Sequence, residues 1–304
     1  MIDCGEGTQH QIKCSQLKSS KLHSIFITHL HGDHCYGIFG LLHMLKAGNR
    51  TNPLHVYGPI GIQSLITNAL YASGGWNGFE IIIHELGVHG TKYEQDTILN
   101  YCTTSETKPP STSPSQSYHQ TSFQVILNPQ NKCQFRYKPN QIISLGEIDF
   151  GISAFACPIT HRVETFGYVF IEKDKEGILN AAKATALGAK GPQMGMLKRG
   201  IDVTLKNGTT IYSKDVVGDN IRGKKIAVMQ DCSYIDSAFE IAKDCDVLIH
   251  ECTYDQSHYD NAITFGHSTA SMAATHALNL KAKFCCSHNF PGFFFFLHIT
   301  QKIY

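Results

Sequence analysis

The sequence predicts a layered α/β fold, on three observations. Short β-branched and aromatic runs alternate with amphipathic ones along most of the chain. Five of the apolar runs end in a histidine, aspartate or glutamate, which is how strands deliver polar groups to one edge of a sheet. The composition of the 304 residues, 42% hydrophobic and 17% charged, is that of a globular protein, with length for one large core or two ordinary domains.

The elements follow in order. Ser24-Ile25-Phe26-Ile27-Thr28 is too short for a helix and reads as a strand. Ile38, Leu41, Leu42 and Leu45 fall at i, i+3, i+4 and i+7, one face of a helix. Leu54-His55-Val56-Tyr57 reads as a strand, residues 61–72 as a helix and 79–84 as a strand. Between about 91 and 138 the periodicity dissolves around a Ser/Thr/Pro stretch, which reads as an exposed loop or insertion. Strands return at 151–158, 168–172, 225–230, 246–250 and 282–287, with helical patterns at 236–244 and 268–278. The opening residues form a strand and turn. The Phe293-Phe294-Phe295-Phe296-Leu297 run reads either as a core strand or as a foreign tail.

With 26 basic against 25 acidic side chains, general coating of nucleic acid is not expected, although a local basic patch is compatible with near neutrality. Seventeen histidines exceed what a core needs and point to metal or proton chemistry. Eleven cysteines, odd in number and without a CxxC pair, argue against a disulfide framework and for an intracellular compartment, cytoplasmic or nuclear. No secretory leader is expected at Met1-Ile2-Asp3-Cys4-Gly5-Glu6, and no apolar run approaches the ~18–20 residues that cross a bilayer.

The sharpest chemical signal is His29-Leu30-His31-Gly32-Asp33-His34, an HxHxDH cluster between a predicted strand and a predicted helix. In extended chain His29 and His31 project the same way, while Asp33 and His34 lie at the first helical turn. Two local geometries within six residues suit a pair of borderline metal ions. Asp33 could instead cap the helix, which would leave three histidines unexplained. His161, Asp231, His250-Glu251 and His288 each follow one of the other apolar runs. The remaining histidines match no ligand spacing and read as structural or surface residues.

The HxHxDH cluster resembles the signature of the metallo-β-lactamase superfamily. Asp3-Cys4-Gly5-Glu6-Gly7-Thr8-Gln9, Tyr57-Gly58-Pro59-x-Gly61, Gly177-Ile178-Leu179-Asn180-Ala181, Gly191-Pro192, His250-Glu251-Cys252-Thr253 and Gly266-His267-Ser268-Thr269 narrow the resemblance to the ribonuclease Z family, over about residues 2–288. The resemblance implies a four-layer αββα sandwich in one large domain, with a protruding arm at 172–206. It implies one zinc ion on His29, His31 and His161 and a second on Asp33, His34 and His288, with Asp231 bridging them. Two such ions lower the pKa of water towards ~7 and clamp attacking and leaving oxygens.

By the same resemblance Asp33 accepts the proton of that water, and His267, oriented by Glu251, protonates the departing ribose 3′-oxygen. The implied reaction removes the 3′ trailer from precursor tRNA in a homodimeric enzyme. The arm carries Lys183, Lys190, Lys198 and Arg199, and its seven basic against four acidic residues suit phosphate contacts. Family members carry a further strand and glycine-rich turn ahead of the segment that matches Met1, and a different continuation after His288. Two rival readings are another hydrolase of the superfamily and a truncated form that binds RNA without cutting it.

Overall fold

The computed structural model describes residues 1–88, 135–137, 141–149, 151–289 and 293–298, with 88, 135–137, 288–289 and 293–298 as backbone alone. A first sheet orders β1 (Ser24–Phe26), β2 (Leu54–Pro59), β3 (Ile81–Val88) and β4 (Phe135–Tyr137), all parallel. A second takes β5 (Ile143–Asp149), β6 (Ile152–Ile159), β7 (Thr165–Glu172), β10 (Lys225–Met229), β11 (Val247–Glu251), β12 (Phe284–Asn289) and β13 (Phe293–His298). Its order is β13-β12-β11-β10-β7-β6-β5, and only the β10–β11–β12 pairs are parallel. Between β7 and β10, β8 (Val203–Thr204) and β9 (Thr210–Ile211) pair with each other as a separate antiparallel ribbon.

Alternation within β1 shows how the layers form. Ile25 and the following Ile27 face one way, into a core shared with Ile38, Leu41, Leu42 and Leu45 of one helix and Ile62, Ile66 and Leu70 of another. Phe26 faces the other way and stacks on Tyr57 at 4.8 Å, in a layer completed by Ala154, Ala156, Phe166 and Tyr168 of the second sheet. A third core sets Val169, Ala227, Met229 and Leu248 against Ala242, Ala277 and Leu280 on the far side. Three apolar layers between helix, sheet, sheet and helix make the αββα order. Among the described residues no helix is long and apolar enough to cross a membrane.

Two elements differ from the sequence reading for local reasons, and two terminal segments read as strands find their partners. The opening residues run beside β1: Phe26 N–H donates to Met1 O at 2.9 Å, and Asp3 N–H to Phe26 O at 2.8 Å. Residues 135–137, within the stretch read as loop, form a strand too short to show a period. The 236–244 helix is a 3₁₀ turn and one short α-helical turn, Phe239–Ala242, stopped before Asp244 at φ 56°. The Phe293–His298 run is an antiparallel strand on β12 at the sheet edge.

The inserted arm packs on itself. Its helices Ala181–Ala186 and Pro192–Lys198 share a core of Ala184, Ala189, Leu197, Val203, Ile211 and Val216. Isolated bridges Lys175–Ile221 and Leu179–Val217 close the unit, so it reaches past residue 206 to about 221. Ser213, beyond residue 206, ties in here as well, its hydroxyl donating to Leu197 O at 2.6 Å.

Candidate metal centre

Thr28 and His29 are fully buried where the chain leaves β1, and Gly32–Cys35 turns as a short helix immediately after. The second sheet clamps this exit: Tyr168 OH donates to Ile27 O at 2.7 Å and Phe166 N–H to Thr28 O at 2.9 Å. Backbone crowding seals the opposite side. A Cβ on Gly37 would lie 1.8 Å from Gly5 O, so only glycine lets the opening turn approach the ligand helix.

Four histidines and an aspartate from three segments converge here. Donor atoms of His29, His31 and His161 lie within 4.8 Å of one another, as do those of His29, His34 and Asp231. Asp231 Oδ2 is 3.4 Å from His34 Nε2 and 3.9 Å from His29 Nε2, between the two sets. Asp33 stands at the rim with its Oδ2 3.6 Å from His34 Nε2. His161, Asp231 and His267 form a third close group, which brings the predicted proton donor beside the ligands. β12 sets the His288 backbone in register with Glu251. The His288 side chain lies outside the described residues.

The hydrogen bonds fix which ring nitrogens are free. His161 Nδ1 donates to Gly266 O at 2.7 Å, and its buried Nε2 has no hydrogen-bond partner. Thr28 donates to Asp3 at 2.9 Å and so accepts from His29 Nδ1 at 3.0 Å, turning the His29 Nε2 lone pair inward. His34 Nδ1 donates to Asp3 Oδ2 at 2.7 Å. One carboxylate thus orients two imidazoles, the outer support that metal-ligating histidines need. Asp3 escapes the sequence reading because an acid 31 residues from its partner carries no local spacing signal.

The charges point the same way. Burial alone would lower the His34 pKa, but its hydrogen bonds to Asp231 and Asp3 override it and push it up to about 10. Burial and then the His34 charge push His29 down to about 3. Burial opposes ionisation of Asp231 too, yet His34 holds its carboxyl well below the usual range. A cluster that strains to keep one imidazole protonated among carboxylates is a cluster that favours a cation. With imidazole nitrogens and carboxylate oxygens gathered at one place, His161 Nε2 among them without a partner, the donors suit zinc.

Glu251, 1% exposed, accepts from Cys232 N–H at 2.8 Å, Thr253 N–H at 3.1 Å, Thr253 OH at 2.6 Å and His267 Nδ1 at 3.0 Å. Its contact outweighs the burial of His267 and raises that imidazole's pKa. Beneath it, His276 Nδ1 meets His250 Nε2 at 2.9 Å, and His250 Nδ1 donates to Glu251 O at 2.7 Å. These two buried histidines, one unassigned and one read only as a motif residue, form the floor of the acid site. Lys183, Lys190, Lys198 and Arg199 are exposed on the arm, apart from this cleft of Asp3, Asp33, His34, Gln230, Asp231, Thr253 and His267.

Comparison with known proteins agrees with this geometry. A family described as Anti-Pycsar protein Apyc1 matches residues 1–74. Zinc phosphodiesterase ELAC protein 1 of Homo sapiens is 36% identical over 290 residues, 93% of this chain and 76% of its own length. A ribonuclease Z of Streptococcus equi subsp. equi is 33% identical over 286 residues, again 93% of this chain and 76% of its own. The crystal structure of the short form of human tRNase Z superposes with a TM-score of 0.58 at 27% identity, over 93% of this chain and 78% of that one. The αββα layers are the metallo-β-lactamase fold, and a metal site fits it. With this identity over so much of both lengths, and with the donors assembled as described, the chain belongs to the ribonuclease Z family.

Proposed function

We propose that the protein is a metal-dependent endoribonuclease that removes the 3′ trailer from precursor tRNA and leaves a 3′-hydroxyl. The observation that carries the reading is the coincidence of two donor sets sharing Asp231 with an acid pair, Glu251 and His267, at one cleft. His29, His31 and His161 would hold one zinc ion, and Asp33, His34 and His288 a second, with Asp231 common to both. Such ions, when bound, would supply a nucleophile at neutral pH and charge for the attacked phosphate.

The chain's own groups do the rest. Asp3 and Thr28 keep His29 and His34 in the tautomers that present Nε2 to the cleft. Asp33, with its side chain 63% exposed at the rim, is placed to take up the proton of the incoming water. His267, its pKa raised by the hydrogen bond to Glu251, gives a proton to the leaving ribose oxygen. Glu251 cannot swing away, because three further donors hold it. The arm, through Lys183, Lys190, Lys198 and Arg199, would grip the tRNA away from the cut, and a second copy of the chain would complete a homodimer. Nine described cysteines are unpaired, which suits a reducing intracellular compartment.

The test is a 3′-extended tRNA incubated with the enzyme and with enzyme stripped by chelator, the ends mapped by sequencing. Cleavage at the trailer junction that is lost on stripping and restored by zinc is expected. Thioester hydrolysis without RNA cleavage would replace this reading with the rival hydrolase. Asp231→Ala should lose cleavage by at least a hundredfold while the Kd for the tRNA, read by filter binding, changes much less.

A further inference from the structure

Beside the segments that carry the donors lie exposed rings that the metal chemistry does not use. Phe265 is 40% exposed, Tyr234 42% and Tyr259 40%. Single exposed apolar residues are ordinary, but these share one place. Each of the three segments that bring His161, Asp231 and His267 together also carries an exposed ring or a cation within three residues of its donor. Arg162 follows His161 and lies over the Phe265 ring, 5.3 Å from its centroid. Phe265 precedes His267 by two residues. Tyr234 follows Asp231 by three and is hydrogen-bonded to Tyr259. The segments are tied to one another: Thr160 N–H donates to Tyr234 O at 3.0 Å, and His161 to Gly266 O at 2.7 Å.

We infer that Phe265 with Arg162, and Tyr234 with Tyr259, are two stacking platforms for the unpaired nucleobases that flank the scissile phosphodiester. The inference rests on the RNA-cleaving reading and adds to it how the substrate strand is seated. A phosphodiester held at the donors carries its two nucleosides among the residues that flank those donors, because they are covalently attached to it. Every base has a π-face, so stacking on phenyl and phenol rings tolerates any sequence. An enzyme that cuts many trailers needs such tolerance. The guanidinium above Phe265 adds a cation that attracts both a base and the adjacent phosphate. His267 acts on the ribose 3′-oxygen, so the neighbouring Phe265–Arg162 platform takes the nucleotide that keeps the 3′-hydroxyl. The tyrosine pair then takes the first trailer nucleotide.

The experiment compares a 3′-extended tRNA with two copies that each lack one base, at the last retained or the first trailer nucleotide. For the wild-type enzyme, kcat/KM is expected to fall about tenfold for each abasic substrate, the worth of one stacked base. Phe265→Ala should abolish the discrimination at the retained nucleotide alone, and Tyr234→Ala at the trailer nucleotide alone. Phe265→Tyr and Tyr234→Phe, which keep the ring, should retain it. A wild-type enzyme that cuts all three RNAs equally, or alanine variants that still discriminate, would overturn the platforms and leave the RNA reading standing. Failure to cut any RNA would overturn that reading, and the platforms with it.

Discussion

Asp3 shows what a single side chain settles. It makes no contact with a metal position, yet its two oxygens receive Thr28 and His34 and so fix the rings of His29 and His34. Outer partners of ligating imidazoles are worth ~10–100-fold in metal affinity. Asp3→Asn should therefore lower zinc affinity by about that factor, read by competition with a chromophoric chelator, with the fold intact by circular dichroism. The HxHxDH residues were legible because their geometry is local, with strand and helix phase dictating where each ring points. Asp3 was not, since nothing within the opening turn reveals which distant imidazole it will meet.

At the scale of elements, the histidine pair beneath Glu251 ties the end of β11 to the helix Ala270–Asn279. His276 is 8% exposed, and burial followed by the His250 charge pushes its pKa down to about 4. Above pH ~6.5 both folded and unfolded states hold it neutral, and no stability is lost. As pH falls from ~6.5 towards 4, the unfolded chain takes up a proton that the folded one refuses, at a cost of about 2–3 kcal/mol. His276→Asn, which keeps a donor for His250, should flatten that part of the pH–stability curve. Urea unfolding followed by Trp76, the one tryptophan and buried in the first core, measures it. The helix bearing Ile38, Leu41, Leu42 and Leu45 was readable from its spacing, and all four are buried. The strand at 135–137 was not, because three residues do not complete a pattern that separates strand from loop.

For the whole molecule, the donor cluster and the 175–221 unit stand on separate apolar cores, and the proposed function divides chemistry from grip along that line. The Lys175–Ile221 bridge brings the two stems of the arm together, so a short turn can replace 176–220. The excised protein should lose cleavage of a 3′-extended tRNA at least tenfold more than cleavage of bis-p-nitrophenyl phosphate. Its tRNA cleavage should also depend less steeply on salt, as fewer phosphates are neutralised. Equal losses on both substrates would mean that the arm supports the cleft.

Residue order alone settled the periods of the strands and helices, the alternation that makes layers, and the types of donor at strand ends, since each depends only on near neighbours. Folding decided what lies across the chain: His161 against Gly266, Asp231 between His29 and His34, Glu251 beneath His267 and Ser213 closing the arm. Those meetings depend on how two sheets stack and which strand edges coincide. Register and layer packing are collective, and no window of sequence contains them.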